Sequence, residues 1–277
     1  MKQNAGPERS LGKWPIIAHI PHSSMAIPED DQTGFLRSKE KLVHEVKKLN
    51  DHFTDKIFNS SLDEVTSLIF PVNRFLVDVE RFEKDDAEPM AAQGMGVLYT
   101  HDTEGRRFRE DLSSNAREKL VSKYYRPHHQ KLEKLVKQAI EKNGSVMIID
   151  GHSFPAQALP CDQSQAPNRP DICLGTDDFH TPSWLVEMVK DHFEAQGFSV
   201  SINHPYSGTM VPLVRYQKDR RVSSIMIEIN RHLYLGSDFE LRESGFRKVK
   251  DCVERLYSRI QKKAARNPPD FVPELKQ

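Results

Sequence analysis

SVMIIDGHSFPA, residues 145–156, joins a short apolar run directly to a polar cluster. The four apolar residues 146–149 are typical of a buried strand, yet Asp150, Gly151 and His152 follow without a spacer. The carboxyl ends of strands border the ligand crevice in open α/β sheets. We therefore expect a core strand whose end carries His152 into a site. Gly151 would permit a bend there, and Asp150 would orient the histidine or cap the turn.

The rest of the chain alternates short strand-like runs with longer helical patterns. The other predicted strands are PIIAHI (15–20), TSLIF (66–70), FLVDV (75–79), FSVSI (198–202) and SSIMIEI (223–229). Apolar residues at helical spacing occupy 42–57, 120–140, 184–193 and 239–260. This alternation predicts an α/β fold with a mostly parallel or mixed sheet and helices on both faces. No linker divides the chain, so we expect one domain over residues 1–277.

Composition restricts the class of partner. The 40 basic and 40 acidic residues balance, which disfavours nucleic acid and anionic membranes and favours a small-molecule partner. Three cysteines without a C-x-x-C pair argue against a disulfide framework. No signal peptide or membrane-span pattern is present, and we expect a cytoplasmic protein.

Two segments have no regular pattern. Residues 83–113 contain glycines, charges and one brief apolar run, and we expect a loop that covers the site, with disorder as the alternative. Residues 264–277 carry three prolines and predict an irregular tail.

Polar residues cluster where the predicted strands end. His22 and His152 each follow an apolar run, and Glu228 lies inside another. Arg74 and Arg81 flank Asp78 in NRFLVDVER. Two histidines, a carboxylate and a nearby glutamate are the composition of a zinc hydrolase site. The alternatives remain open: a loop or capping role for the histidines, and a buried arginine partner for Glu228.

Other chemistries have weaker support. The chain lacks the G-x-S-x-G, P-loop, G-x-G-x-x-G and H-E-x-x-H motifs. Cys161 is a conceivable nucleophile, but no base is evident beside it. Asp51 and Asp55 are four residues apart in a predicted helix, and Asp51 borders its apolar stripe, so it is a further candidate for the site.

Several motifs in order resemble the N-formylglutamate amidohydrolases, relatives of the zinc carboxypeptidases and aspartoacylase. They are HIPHSS, LNDHFTD, NRFLVDVER, DGHS, RPDICLGT, INHPYSGTMV and IEINRHLYL, and they span about residues 15–240. The resemblance implies a zinc-exopeptidase-like fold and hydrolysis of N-formyl-L-glutamate or a related N-acyl amino acid. It also implies a zinc ion, or another divalent metal, as cofactor and an acidic amide as substrate.

The same resemblance assigns roles to individual residues. It implies metal ligation by His22, Asp51 and His152, with Asp78 as a competitor because Met25 stands where the relatives have an acid. Glu228 would activate water. Arg74, with Arg81 as a second candidate, would bind either the oxyanion or a substrate carboxylate. The expected substrate-binding residues are Arg81, Asn203, Tyr206 and Gly208.

Two alternative functions stay open. Ser207 and Thr209 replace a basic residue and a glycine common in the family, which puts the glutamate side-chain pocket in question and favours a peptide or cell-wall amide. A non-catalytic domain that binds an acidic ligand is the second alternative, and it predicts a protein without stoichiometric zinc.

Overall fold

The computed structural model describes residues 14–266 except Thr33 and Arg37. Within these residues one mixed sheet has the order β2-β1-β3-β6-β4-β5. Its strands are β1 (Ile16–Ile20), β2 (Val65–Ile69), β3 (Val146–Phe154), β4 (Ile172–Gly175), β5 (Val200–Ile202) and β6 (Val222–Asn230). Neighbouring strands are parallel except β4 and β6, which are antiparallel. The predicted α/β class with a mixed sheet is confirmed.

Helices cover both faces of this sheet, as predicted. They are α1 (Lys39–Leu49), α2 (Thr54–Ile57), α3 (Ser114–Leu120), α4 (Arg126–Asn143), α5 (Ser183–Glu194) and α6 (Glu243–Arg266), and a π-helical turn (Val121–Tyr125) joins α3 to α4. On one face Ile149 and Ile227 pack with α2, α5 and α6. On the other face Ile17 and Ile148 pack with α4. Alternating strand residues thus fill two cores. None of the described helices has the length and hydropathy needed to cross a membrane.

The predicted strand at 75–79 is wrong. Asn73 starts a turn there: its side-chain oxygen accepts a hydrogen bond from Phe75 N at 3.0 Å, and its carbonyl accepts one from Leu76 N at 2.9 Å. The apolar residues Leu76, Val77 and Val79 are buried in a separate core cluster outside the sheet. Burial rather than strand geometry explains this apolar run, and periodicity cannot separate the two.

The helix predicted over 42–57 is interrupted after Leu49. Asn50 has extended backbone angles, and Phe53 adopts the left-handed conformation with φ of 63°. Asp51 N donates to the His22 carbonyl at 3.0 Å, and the Asn50 amide donates to the Ser23 carbonyl at 3.2 Å. These tertiary bonds replace helical ones, so Asp51 lies in a connection and does not share a helix face with Asp55.

Strand β3 does not end at Asp150 but continues to Phe154, and Gly151 is paired with Ile227 within it. A Cβ atom at Gly151 would lie 2.6 Å from the Phe58 ring. The glycine therefore allows Phe58, the residue that follows α2, to pack closely against the strand, and the strand does not bend there. The prediction of a bend at this position is wrong.

Three further segments differ from, or add to, what the sequence predicts. Residues 83–113 form an ordered wall with short 3-10 helices at Asp85–Ala87 and Pro89–Gln93. Strand β4 is not predicted from the sequence, because its four residues are too few to show a strand periodicity. The predicted tail is wrong for residues 264–266, which end α6, and its remainder, 267–277, lies outside the described residues.

Candidate active site

One face of the sheet changes from apolar to polar towards the carboxyl ends of its central strands. The register aligns His19 of β1 with Asp150 of β3, and His152 of β3 with Glu228 of β6. Residues two apart on a strand share a face, so Asp150 and His152 project on the same side as Ile148. The polar group thus continues the face that α4 covers lower down, and its position follows from strand pairing alone.

Asp150 orients two histidines. Its Oδ1 atom accepts hydrogen bonds from His19 Nδ1 at 2.8 Å and His152 Nε2 at 3.1 Å, while Oδ2 accepts one from Met210 N at 2.9 Å. Burial opposes ionisation, but the charge of His152 and the imidazole donors lower the pKa of Asp150 below its ordinary value. Of the two roles open for Asp150, orientation of the histidine agrees with these contacts.

The outer Nε2 atom of His152 is fixed by Asp150, which directs Nδ1 towards His22 and Asp51. The His152 Nδ1 atom lies 3.1 Å from Asp51 Oδ2 and 3.3 Å from His22 Nδ1. Donor atoms of all three residues fall within 4.8 Å of one another, and all three residues are buried. The structure therefore brings together His22, Asp51 and His152, the three predicted metal ligands.

Asp78 lies on the far side of His22. Its Oδ1 atom accepts a hydrogen bond from His22 Nε2 at 2.9 Å, and its Oδ2 atom accepts bonds from Arg74 Nη2 at 2.8 Å and Tyr99 Oη at 2.6 Å. Burial opposes the charge, but Arg74 and His22 hold the pKa of Asp78 well below its ordinary value. Asp78 is thus an ionised acceptor behind the imidazole.

Glu228 is buried beside these donors, and no arginine of the described residues forms an ion pair with it. Its Oε2 atom has no hydrogen-bond partner among the described residues, and the side chain lines the main cavity. Burial raises the pKa of Glu228 to about 8. A carboxyl group with a pKa near neutrality and a free oxygen is equipped to exchange a proton with a ligand in the cavity.

The cavity has a volume of about 510 Å³ and receives most of the predicted substrate-binding side chains. Arg74, Arg81, Tyr206 and Gly208 line it. Asn203 is not among the lining residues, because its exposed side chain instead bonds both the backbone and the hydroxyl of Thr176, at 2.9 and 2.7 Å.

Other parts of the chain complete the cavity wall. Segment 83–113 contributes Glu88, Met90 and Tyr99, in agreement with a loop against the site. Cys161 also lines the cavity, but burial raises the pKa of its thiol to about 11, which disfavours the reactive thiolate.

Sequence reasoning missed several groups that support the site. His19 donates to Asp150, and its Nε2 atom lies 2.8 Å from His128 Nε2 on α4. Glu80 Oε2 lies 3.3 Å from His152 Nε2. The alternation of β1 was the available signal for His19, since it shares a strand face with Ile17. No local signal marked His128, which reaches the site from a helix 109 residues away in sequence.

The chain is similar to known proteins over most of its length. A family model described as N-formylglutamate amidohydrolase matches residues 14–235. N-formylglutamate deformylase from Pseudomonas putida is 23% identical over 235 residues, which cover 81% of this chain and 83% of that protein.

Solved structures are similar over nearly the whole chain. The crystal structure of N-formylglutamate amidohydrolase from Ralstonia eutropha JMP134 has a TM-score of 0.79 and 25% identity, with 92% of this chain and 96% of that chain covered. A gene product from Agrobacterium tumefaciens has a TM-score of 0.59 and 16% identity over 91% of this chain and 92% of its own, a likeness of fold alone.

Proposed function

This chain belongs to the N-formylglutamate amidohydrolase family, and we propose that it hydrolyses N-formyl-L-glutamate to formate and L-glutamate with a divalent metal, zinc first. The observation that carries the proposal is the convergence of His22, Asp51 and His152 beside the Glu228 carboxyl, whose Oε2 atom has no hydrogen-bond partner among the described residues. A non-catalytic domain would have no need to keep these four groups together in a cavity.

The donor set suits zinc. Two imidazole nitrogens and one carboxylate oxygen are the ligands of many catalytic zinc sites, which leave a further position for substrate or water. Asp51 is the carboxylate ligand in this proposal, because its Oδ2 atom lies 3.1 Å from His152 Nδ1 and 3.8 Å from His22 Nδ1. Asp78 bonds the opposite nitrogen of His22 and orients the ring.

When bound, zinc supplies Lewis-acid polarisation of the amide carbonyl and lowers the pKa of water. Glu228 then acts as the general base and acid: its carboxylate takes a proton from the attacking water and returns it to the departing nitrogen of glutamate. The unpartnered Oε2 atom is the group that exchanges this proton. Burial raises the pKa of this carboxyl to about 8, close to neutrality.

Arg74 stabilises the negative charge that develops on the amide oxygen. Its Nε and Nη2 atoms hold Asp78 at 3.1 and 2.8 Å, which fixes the plane of the guanidinium and leaves Nη1 for the substrate. A fixed donor aimed at a developing charge needs no reorganisation during the reaction. Arg81, Tyr206 and Gly208 complete the substrate-binding wall.

A second candidate substrate is a larger N-acyl amino acid or peptide amide. Leu213 lines the cavity and is 54% exposed, and its neighbour Val214 is 67% exposed. An apolar rim of this kind suits a substrate that extends beyond glutamate. The cysteines Cys161, Cys173 and Cys252 are free thiols, which agrees with the proposed cytoplasmic location.

Formate release tests the proposal directly. The purified protein is assayed with N-formyl-L-glutamate as isolated, after chelation, and after zinc is restored, with bound metal measured in each sample. Activity that disappears on chelation and returns with zinc supports the reaction and its metal dependence. Inactive protein with stoichiometric zinc would contradict the substrate, and the larger amides are then assayed. Inactive protein that binds no zinc would favour the acidic-ligand-binding domain.

A further inference from the structure

Arg231 is a buried arginine in the cavity wall that has no acidic partner within the described part of the chain. It follows β6, opens the 3-10 turn Arg231–Leu233, and is 6% exposed. Its Nη1 atom donates one hydrogen bond, to the Lys48 carbonyl at 2.8 Å. Its Nε atom is buried and has no hydrogen-bond partner among residues 14–266, Thr33 and Arg37 excepted. Part of the guanidinium is therefore held in place while another donor stays unused.

Other buried or half-buried arginines in the described residues show how unusual this is. Arg74 forms an ion pair with Asp78. Arg169 pairs with Asp162, and Arg215 pairs with Glu133, each at 2.7 Å. Arg109 also lacks a carboxylate, but its guanidinium lies 4.3 Å from the Phe35 ring centroid and it does not line the cavity. Arg231 alone among these combines a cavity position with an unused donor and no ion pair.

The Lys48 contact explains how the charge is positioned. Lys48 lies in the last turn of α1, where carbonyl groups have no partner within the helix and the helix dipole is negative. The Nη1 atom satisfies one of these carbonyls and anchors the guanidinium. This contact cannot neutralise a full charge, and a buried charge without a counter-ion is costly. An anion in the cavity would supply the missing partner.

We propose that Arg231 binds one carboxylate of the substrate. The inference rests on the proposed function, which supplies a dicarboxylic amide. A planar guanidinium forms paired hydrogen bonds with a carboxylate, and the unused Nε atom of this cavity-lining arginine offers one of them. Arg74 and Arg81 lie 2.8 and 3.7 Å from Asp78 Oδ2 and share its charge. Arg231 comes from a different element, so it offers the substrate a cationic position separate from Arg74 and Arg81.

A rival role for Arg231 is electrostatic. Arg231 lowers the pKa of Glu228 in competition with the effect of burial. An arginine that acted only through Glu228 would change kcat for every substrate by the same factor. An arginine that binds a carboxylate changes KM, and only for substrates that carry this carboxylate. The two roles therefore differ in a measurable way.

The kinetic test compares three substrates in Arg231→Gln and Arg231→Lys. They are N-formyl-L-glutamate, N-formyl-L-glutamine and the α-amide of N-formyl-L-glutamate, each of the last two lacking one carboxylate. In Arg231→Gln we expect kcat/KM for the dicarboxylate to fall about 10- to 100-fold, mainly through KM. The substrate that lacks the relevant carboxylate loses little, which also identifies the carboxylate. Arg231→Lys keeps the charge and the fold and gives an intermediate loss, since a single ammonium replaces the planar fork.

Binding of glutarate, measured by calorimetry on the metal-loaded protein, separates this proposal from the reaction itself. Wild type and Arg247→Gln, a control at an exposed α6 position, bind glutarate equally, and Arg231→Gln binds it at least 10-fold more weakly. This result in a protein that fails to hydrolyse N-formyl-L-glutamate would contradict the proposed function and support the carboxylate site. Equal kinetic losses for all three substrates, or glutarate binding unchanged in Arg231→Gln, would overturn the role of Arg231.

Discussion

His152 of β3 and Glu228 of β6 are directly paired in the parallel register of the two central strands. Nine residues of each strand take part in this pairing, from Val146–Phe154 and Val222–Asn230. The proposed metal ligand and the proposed base are therefore spaced by backbone hydrogen bonds in the middle of the sheet. A site built on paired strands holds its geometry better than one built on loops.

Glu228→Gln tests the base. We expect kcat to fall about 100- to 10,000-fold, because the amide cannot accept the proton of water, while the zinc content stays at the wild-type value. The amide is nearly isosteric and removes a buried ionisable group, so the fold is retained. Steady-state formate release and metal analysis check this, with Glu187→Gln on the exposed face of α5 as the control. Wild-type turnover in Glu228→Gln would remove the residue from its role.

A comparison of Asp51→Asn with Asp78→Asn tests which carboxylate binds metal. Loss of a ligand in Asp51→Asn should abolish stoichiometric zinc binding. Loss of the orienting acid in Asp78→Asn should weaken zinc affinity about 10- to 100-fold. Competition with a chromophoric chelator measures both affinities. The opposite order of affinities would make Asp78 the ligand.

Asp78→Asn should also destabilise the protein itself. The substitution removes the buried carboxylate that the half-buried Arg74 and Arg81 share, which costs about 3–5 kcal/mol of unfolding free energy. Urea denaturation of the metal-free proteins measures this cost separately from zinc binding. A stability equal to that of wild type would show that other groups neutralise the two arginines.

We expect the protein to lose stability in acid because His128 is buried. Burial and the neighbouring His19 lower its pKa from 6.5 to about 2, so between these values the unfolded chain binds a proton that the folded protein does not. The contribution of neutral His128 to the unfolding free energy is complete above pH 6.5. It declines as the pH falls, with a slope of about 1.4 kcal/mol per pH unit for one proton. His128→Gln should reduce this slope between pH 6 and 4. Urea denaturation with chelator throughout measures it, and identical slopes for the two proteins would contradict the assignment.

Gly151→Ala tests the close packing of β3 on Phe58. The added methyl would lie 2.6 Å from the ring, and we expect a loss of about 1–3 kcal/mol of unfolding free energy. Phe58→Leu should recover part of this loss when combined with Gly151→Ala, because the smaller side chain leaves room for the methyl. Urea denaturation of both single variants and the double variant gives the interaction energy. Additive losses would show that Phe58 is not the obstacle.

Secondary structure followed from the sequence where local pattern and tertiary packing agreed. Five of the six predicted strands, including β3, are present, because runs rich in β-branched residues between helical segments fit a buried sheet. Residues 75–79 have the same composition, yet the turn at Asn73 and burial in a separate cluster make them irregular. The helix over 42–57 fails at Asn50 and Asp51, because their tertiary hydrogen bonds compete with the helical ones.

The candidate site, like the fold, is predicted only in part from the sequence. Ordered motifs were enough to nominate His22, Asp51, His152 and Glu228, but they left Asp51 and Asp78 as competitors. The contacts of these two acids are long-range: Asp51 meets His152 across 101 residues of sequence, and Asp78 meets the outer nitrogen of His22. Asn203 shows the converse, since its segment matches the motif while its side chain is directed to Thr176.

The sequence by itself determined the α/β class, the family and the inventory of donor groups, because strand and helix periodicity and ordered motifs are local properties of the chain. Only the tertiary structure decided which imidazole nitrogens face Asp51, which acid lies behind His22, and that Arg231 lines the cavity without a counter-ion among the described residues. These facts depend on strand register and on the competition of buried charges for a few partners. Both arise only when segments distant in sequence pack together.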